Sequence, residues 1–228
     1  MQSSHQNWQS LTPEDVRELL QEGNERFLNN PHHGRILFQI LKETEARRKP
    51  LAAVLSCSDM DMSPELIFDQ GMGDIFNIRL AGHAVCADAL GSVEYACAGL
   101  GSKLIVVLGH TRCSVVEAAC DDISFGNMAG LTERLRLSIL AETETLPEGR
   151  HSKNKRFVKN VARQHILRTM EHIIRSSSII RELIEQEDLN LVGAMYGMET
   201  GKITFMSKDG RQMLASLFPK YARQNSYW

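Results

Sequence analysis

The sequence lacks an excess of charge of either sign. Its 228 residues contain 26 Lys and Arg against 28 Asp and Glu, which leaves a formal net charge of -2. A chain without a strong field of one sign has little to draw it to the phosphates of a nucleic acid or to an anionic lipid surface. We therefore expect neither nucleic acid nor a membrane among its partners.

Long apolar runs are also missing. No stretch approaches the roughly 18 consecutive apolar residues of a membrane-spanning helix. The first ten residues are polar, whereas an export signal begins with a basic stretch followed by a hydrophobic one. These absences predict a soluble, unexported protein of the cytoplasm.

The sequence has few cysteines, and their number is odd: five residues are scattered through the middle of the chain. This pattern does not suit the disulfide frameworks that hold small secreted domains together. In a reducing compartment the cysteines stay thiols. Such thiols are usually buried as small hydrophobic groups and are less often metal ligands or nucleophiles.

Short apolar runs, typical of buried strands, alternate with helical patterns. The predicted strands are residues 51–56, 74–80 and 104–108, followed by a closing pair at 189–196 and 202–206. The predicted helices are residues 12–27, 87–100, a segment starting at 114, and a long stretch from 158 to 184 with a break at 176–178. This alternation indicates an α/β fold with a central, mostly parallel sheet flanked by helices.

The length and the 43% hydrophobic content suit one substantial core. We therefore expect a single domain over residues 1–228. Within it we assign an N-terminal helical arm to residues 1–48, the core to 49–206 and a C-terminal tail to 207–228.

Metal-binding side chains follow two of the predicted strands. Cys57 and Asp59 come at the end of the first, and His110 and Cys113 at the end of the third. Open parallel sheets bind ligands beyond the carboxyl ends of their strands. Two cysteines and one histidine suit Zn2+, and three protein ligands leave the fourth position open, as in catalytic zinc sites.

A second pair has the same spacing. His83 and Cys86 stand three apart just after the second predicted strand. Spacing alone does not choose between the pairs, and each is also compatible with a buried histidine and a buried thiol of a metal-free α/β domain.

Several separate motifs occur in order along the chain. They are residues 55–59 (LSCSD), 64–71 (PELIFDQG), 73–76 (GDIF), 78–82 (IRLAG), 91–95 (GSVEY) and 108–113 (LGHTRC). With these motifs the chain strongly resembles the β-class carbonic anhydrases over about residues 19–206.

The resemblance implies a function and a site. Cys57, His110 and Cys113 match the family's zinc ligands, one ion per chain, and Asp59 matches the acid beside the metal. The implied reaction is the reversible hydration of CO2 to bicarbonate and a proton. The implied assembly is a homodimer or a dimer of dimers, with the N-terminal arm wrapping a partner. His83 falls where the family more often has Asn, which favours the other pair.

One position departs from the family pattern. The family has Cys-x-Asp-x-Arg, and here Asp61 stands in place of the Arg. In the family this Arg pairs with the Asp and holds it off the zinc. Without that cation Asp59 gains by turning onto the metal as a fourth ligand, which predicts weak or gated activity. Arg79 or Arg112 could supply the missing charge from another part of the chain.

The same residues leave two further hypotheses open. A zinc protein with a closed site could serve a structural or partner-binding role without activity. Alternatively, an enzyme with the same metal could act on a CO2-like molecule such as COS or CS2.

Overall fold

A five-stranded sheet forms the centre of the computed structural model, which describes residues 10–29 and 49–219. The strands are β1 (Ala52–Cys57), β2 (Ile75–Leu80), β3 (Leu104–His110), β4 (Asn190–Tyr196) and β5 (Ile203–Phe205). Their order across the sheet is β2-β1-β3-β4-β5. Only β5 runs antiparallel to its neighbour, so the prediction of an α/β fold with a mostly parallel sheet is confirmed.

Helices connect the strands and cover the sheet. They are α1 (Pro13–Asn29), α2 (Pro64–Ile67), α3 (Ala87–Glu94), α4 (Ser114–Cys120), α5 (Ala129–Ala141), α6 (Lys155–Ser176), α7 (Ser178–Glu185) and α8 (Gly210–Leu217). The predicted break after α6 is at Ser177, whose side chain accepts a hydrogen bond from the Ile180 N–H and so starts α7. Within residues 10–29 and 49–219, no helix combines the length and the hydrophobicity needed to cross a membrane.

The core lies on both faces of the sheet. Every residue of β1, β3 and β4 is buried, as expected for parallel strands covered on both sides. One face packs against α6, and the other packs against α1 and α2. Ser56 of β1 pairs with Leu108 of β3, so these neighbouring strands end at the same edge.

Three helices are not among those predicted from the sequence: α2, which has only four residues, α5 and α8. In α5 only Leu135 and Ser138 are buried, whereas Leu137 and Leu140 are exposed, which weakens the apolar periodicity. Helix α8 begins with a capping box, in which the Asp209 side chain accepts from the Gln212 N–H and the Gln212 side chain accepts from the Asp209 N–H. This helix lies inside the segment that we assign to the tail. The remainder of that tail, residues 220–228, lies outside the described residues.

Helix α1 docks on its own chain through Asn24. The side-chain amide of this residue donates to the carbonyl oxygens of Ile67 and Gly201, each at 3.0 Å, and its oxygen accepts from the Ile203 N–H at 2.9 Å. The described part of the predicted arm is therefore anchored to the core. Residues 1–9 and 30–48 of that arm lie outside the described residues, and the assignment of a single domain stays a prediction.

Gly23 allows α1 to approach the segment after α2. A Cβ at this position would lie 1.7 Å from the carbonyl oxygen of Phe68. We expect Gly23→Ala to lower the free energy of unfolding by about 1–3 kcal/mol or more, because α1 and the segment after α2 have to move apart.

The matched control is Gly91→Ala on α3, where the added Cβ meets nothing within 4 Å. It should stabilise the helix by about 0.5–1 kcal/mol. Urea unfolding of both variants measures the difference, and a neutral Gly23→Ala would contradict the docking of α1.

Candidate metal centre

The ends of β1 and β3 bring four side chains together. Cys57 ends β1, His110 ends β3, Asp59 lies in the turn after β1, and Cys113 immediately precedes α4. One possible ligand atom from each lies within 4.8 Å of the others, and the described ranges 10–29 and 49–219 hold no second cluster of this kind. The structure therefore brings together the set predicted from the sequence.

His110 has one ring nitrogen engaged and one without a partner. Its Nδ1 lies 3.0 Å from the Thr111 carbonyl oxygen, which can only accept, so the proton is on Nδ1. The lone pair of Nε2 then has no hydrogen-bond partner, although the residue is only 1% exposed. A buried polar atom without a partner is unfavourable. Because it lies beside the two thiols, a metal ion would satisfy it.

Thr111 holds this arrangement in place. Its N–H donates to the Tyr196 carbonyl oxygen at 2.9 Å, and its hydroxyl donates to a Glu199 carboxylate oxygen at 2.9 Å. The same hydroxyl accepts from the Met198 N–H at 3.0 Å. The loop between β4 and β5 therefore fixes the carbonyl that sets the tautomer of His110.

The two thiols form one hydrogen-bonded pair. Their sulfur atoms are 3.7 Å apart, and both residues are buried. The hydrogen bond from Cys113 outweighs burial and lowers the pKa of Cys57 to about 4. The same hydrogen bond, together with burial, raises the pKa of Cys113. A divalent cation would compensate the charge of a second thiolate, so this donor set fits Zn2+.

Asp59 lies at the start of α4. Its Oδ2 accepts a hydrogen bond of 2.7 Å from the N–H of Ser114, the first residue of that helix. The positive end of the helix dipole favours a carboxylate there. Among the residues that the structure describes, no Lys or Arg nitrogen comes within 4.0 Å of this carboxylate to form an ion pair.

Both candidate substitute cations are engaged elsewhere. The Arg79 guanidinium donates to the carbonyl oxygens of Cys57, Ser58 and Met60, and so holds the turn after β1. Arg112 faces Glu199 at 3.9 Å, with both side chains exposed. The contacts therefore give no support to the prediction that either arginine replaces the family's Arg beside Asp59.

The second His–Cys pair forms no such cluster. His83 is buried, its ring centroid lies 4.6 Å from that of His165, and neither of its nitrogens has a hydrogen-bond partner. Neither His83 nor Cys86 belongs to the group of possible ligands.

Three partners of the site were missed by sequence reasoning. The N–H of Ser114 binds Asp59, and the N–H of Gly82 donates to the Cys57 sulfur at 3.1 Å. His165 in turn binds the Gly82 carbonyl oxygen. Almost every residue has a backbone N–H, so the residue types of Ser114 and Gly82 do not indicate that they are partners of the site.

Comparisons with known proteins agree on one family. The family model for carbonic anhydrase matches residues 52–203. Carbonic anhydrase 2 of Mycobacterium tuberculosis is 36% identical over 199 residues, which cover 85% of this chain and 92% of that protein. A carbonic anhydrase of Mycolicibacterium smegmatis is 32% identical over 198 residues, 84% of this chain and 92% of that one.

Solved structures share the fold at lower identity. The β-carbonic anhydrase CafA of Aspergillus fumigatus has a TM-score of 0.69 at 18% identity, and the match covers 90% of this chain and 96% of that one. A tetrameric β-carbonic anhydrase of Sordaria macrospora has a TM-score of 0.64 at 21% identity, covering 81% and 91%. The solved structures show the fold, and the family model with the 36% and 32% identical relatives shows that the chain belongs to the β-carbonic anhydrase family.

Proposed function

We propose that this chain binds one Zn2+ through Cys57, His110 and Cys113 and catalyses the reversible hydration of CO2 to bicarbonate and a proton. The observation that carries the proposal is the unpartnered, buried Nε2 of His110 beside two buried thiols. Membership of the family, and a 36% identical relative that is itself a carbonic anhydrase, support the reaction. They favour an enzyme over a zinc protein with a purely structural role.

The three proposed ligands form a buried, negatively charged binding site for the ion. The chemistry that zinc provides when bound is Lewis acidity, which makes water a nucleophile near neutral pH. Cys57 and Cys113 contribute two thiolates, and the Thr111 carbonyl keeps the lone pair of His110 Nε2 available. Burial of all three side chains keeps solvent from competing for them.

Asp59 is proposed to orient the attacking water and also to compete with it for the fourth ligand position. The Ser114 N–H holds one carboxylate oxygen, which leaves the other available to accept a hydrogen bond from water. The same carboxylate lies close enough to the three ligands to complete a four-ligand site. Because no Lys or Arg of residues 10–29 and 49–219 pairs with this carboxylate, its movement onto the metal competes with catalysis. We therefore expect weak or conditional activity.

Stopped-flow measurement of CO2 hydration tests the proposal. The zinc-loaded protein should hydrate CO2 faster than buffer at neutral pH, lose this rate when a chelator removes the metal, and recover it when Zn2+ is returned. Cys86→Ser should behave like the wild type, because Cys86 lies outside the ligand group. A fully zinc-loaded protein whose rate equals that of buffer would refute the proposed reaction.

We also infer a homodimer or a dimer of dimers. Within the described ranges β2 lies at one edge of the sheet, where a second copy could extend it. The likeness to a tetrameric carbonic anhydrase of Sordaria macrospora supports this assembly. All five cysteines are free thiols, which agrees with the proposed cytoplasmic location.

A further inference from the structure

A chain of hydrogen bonds reaches Cys57 from the helices that cover the sheet. The Gly82 N–H donates to the Cys57 sulfur at 3.1 Å, and the Gly82 carbonyl oxygen lies 2.9 Å from Nε2 of His165 on α6. On its other side, the His165 ring has Nδ1 3.1 Å from the hydroxyl of Ser138 on α5. Three hydrogen bonds therefore connect a proposed zinc ligand with two helices that lie far from it in sequence.

The chemistry of the partners determines the direction of each bond. The Gly82 carbonyl has no proton, so His165 Nε2 carries one and donates it. Nδ1 is then an acceptor, and the Ser138 hydroxyl donates to it. Burial lowers the pKa of His165 to about 4, so the ring is neutral near pH 7. His165 is 4% exposed and Ser138 fully buried, so bulk water does not replace either partner.

The turn that carries Gly82 needs an anchor. Gly82 has a φ of 63°, and the next residue, His83, has a φ of 41°. A left-handed conformation is unfavourable for a residue with a side chain, so such turns persist only when their surroundings hold them. The conformation directs the Gly82 N–H towards Cys57, and the hydrogen bond from His165 holds the opposite end of the same residue.

We propose that His165 is a positioning residue of the metal centre, with Ser138 as its orienting partner. It holds the Gly82 turn so that the amide donates to Cys57, which stabilises the thiolate and fixes the direction of the sulfur. This inference rests on the proposed zinc site. Residues that orient a metal ligand from outside typically affect metal affinity by about 10–100-fold when they are removed.

The test compares three variants of the full chain. His165→Ala removes the donor to Gly82 and should weaken Zn2+ binding roughly 10–100-fold, measured by competition with a chromophoric chelator. His165→Gln keeps an N–H donor and a carbonyl acceptor and should restore most of the affinity. Met170→Ala, a core truncation on the same helix outside the hydrogen-bond chain, should reduce stability and leave the affinity unchanged.

Cobalt substitution gives a second readout that loss of stability alone would not move. In the Co2+ protein, His165→Ala should shift the thiolate-to-cobalt charge-transfer band, whereas His165→Gln and Met170→Ala should keep the wild-type band. Ser138→Ala should produce a smaller shift in the same direction, since it frees the ring without removing it. If His165→Ala does not fold, the cobalt spectrum of Ser138→Ala tests the positioning role instead.

The outcomes separate this inference from the proposed function. A wild type that binds no zinc overturns both. A wild type that binds zinc, with unchanged affinity and cobalt spectrum in His165→Ala, overturns the positioning role and leaves the zinc site. An equal loss in Met170→Ala would assign the effect to general destabilisation and would also overturn it. Should His165→Ala be unfolded, an unchanged Ser138→Ala overturns it as well.

Discussion

Cys113→Ser should abolish stoichiometric zinc and lower thermal stability. The Cys113 sulfur lies 3.7 Å from that of Cys57 in a buried site, so the substitution removes one of only two thiolates. A hydroxyl ionises far less readily than a thiol and is a poor ligand for this ion. Metal binding to the folded state is linked to folding. Loss of an ion present at 100 to 1,000 times its Kd would therefore remove about 2.7–4.1 kcal/mol.

Elemental analysis and thermal unfolding of purified protein, with and without added Zn2+, check this result. The control is Cys86→Ser, a thiol outside the cluster, which should keep full zinc content and the metal-dependent rise in Tm. Full occupancy in Cys113→Ser, or metal loss in Cys86→Ser, would show that the ligands were assigned to the wrong pair.

Asp61→Arg should raise CO2 hydration by about an order of magnitude or more, the size expected when a misplaced catalytic group is corrected. In the part of the chain that the structure describes, no Lys or Arg lies within ion-pair distance of Asp59, and both Arg79 and Arg112 have other partners. A guanidinium two residues away could form a forked pair with the Asp59 carboxylate and hold it off the metal. Asp61 is exposed, so the longer side chain need not displace any of the core.

Asp61→Ala separates the two effects of this substitution, because it removes the acid without adding a cation. We expect a much smaller rise for Asp61→Ala than for Asp61→Arg in the same stopped-flow assay. Crystal structures of both zinc-loaded variants at two pH values would show whether Asp59 or water is the fourth ligand. An unchanged rate in Asp61→Arg, with Asp59 still on the metal, would mean that the site has diverged elsewhere. A fall from high activity would give Asp61 itself a role in catalysis.

Strands β1, β3 and β4 could be predicted because each is a short apolar run buried on both faces. Helix α5 could not, since it exposes Leu137 and Leu140 and buries few residues. Helix α8 has a capping box as a local signal, but the box lies in residues 207–228, which we assign to a C-terminal tail. Tertiary packing determines both helices more than their own periodicity does.

The position of the ligands could be predicted because parallel strands end at one edge of the sheet. The spacing of the residues alone did not determine which of two His–Cys pairs binds the metal. His83 and Cys86 have the same spacing as His110 and Cys113, and the family resemblance favoured the latter pair. The arrangement around Asp59 could not be predicted, because its partner is a backbone N–H 55 residues away. The contact between His165 and Gly82 spans 83 residues and joins a side chain to a carbonyl, which leaves no residue pattern to detect.

The separation of the thiols along the chain has a consequence for the order of events during folding. Cys57 and Cys113 are 56 residues apart, and they meet only because β1 and β3 are paired in parallel. Pairing of this kind depends on long-range contacts and forms slowly. Cys57 therefore joins His110 and Cys113 only after these two strands have paired. At the proposed site, metal capture would follow the pairing of β1 and β3, so zinc uptake during refolding would report that this pairing is complete.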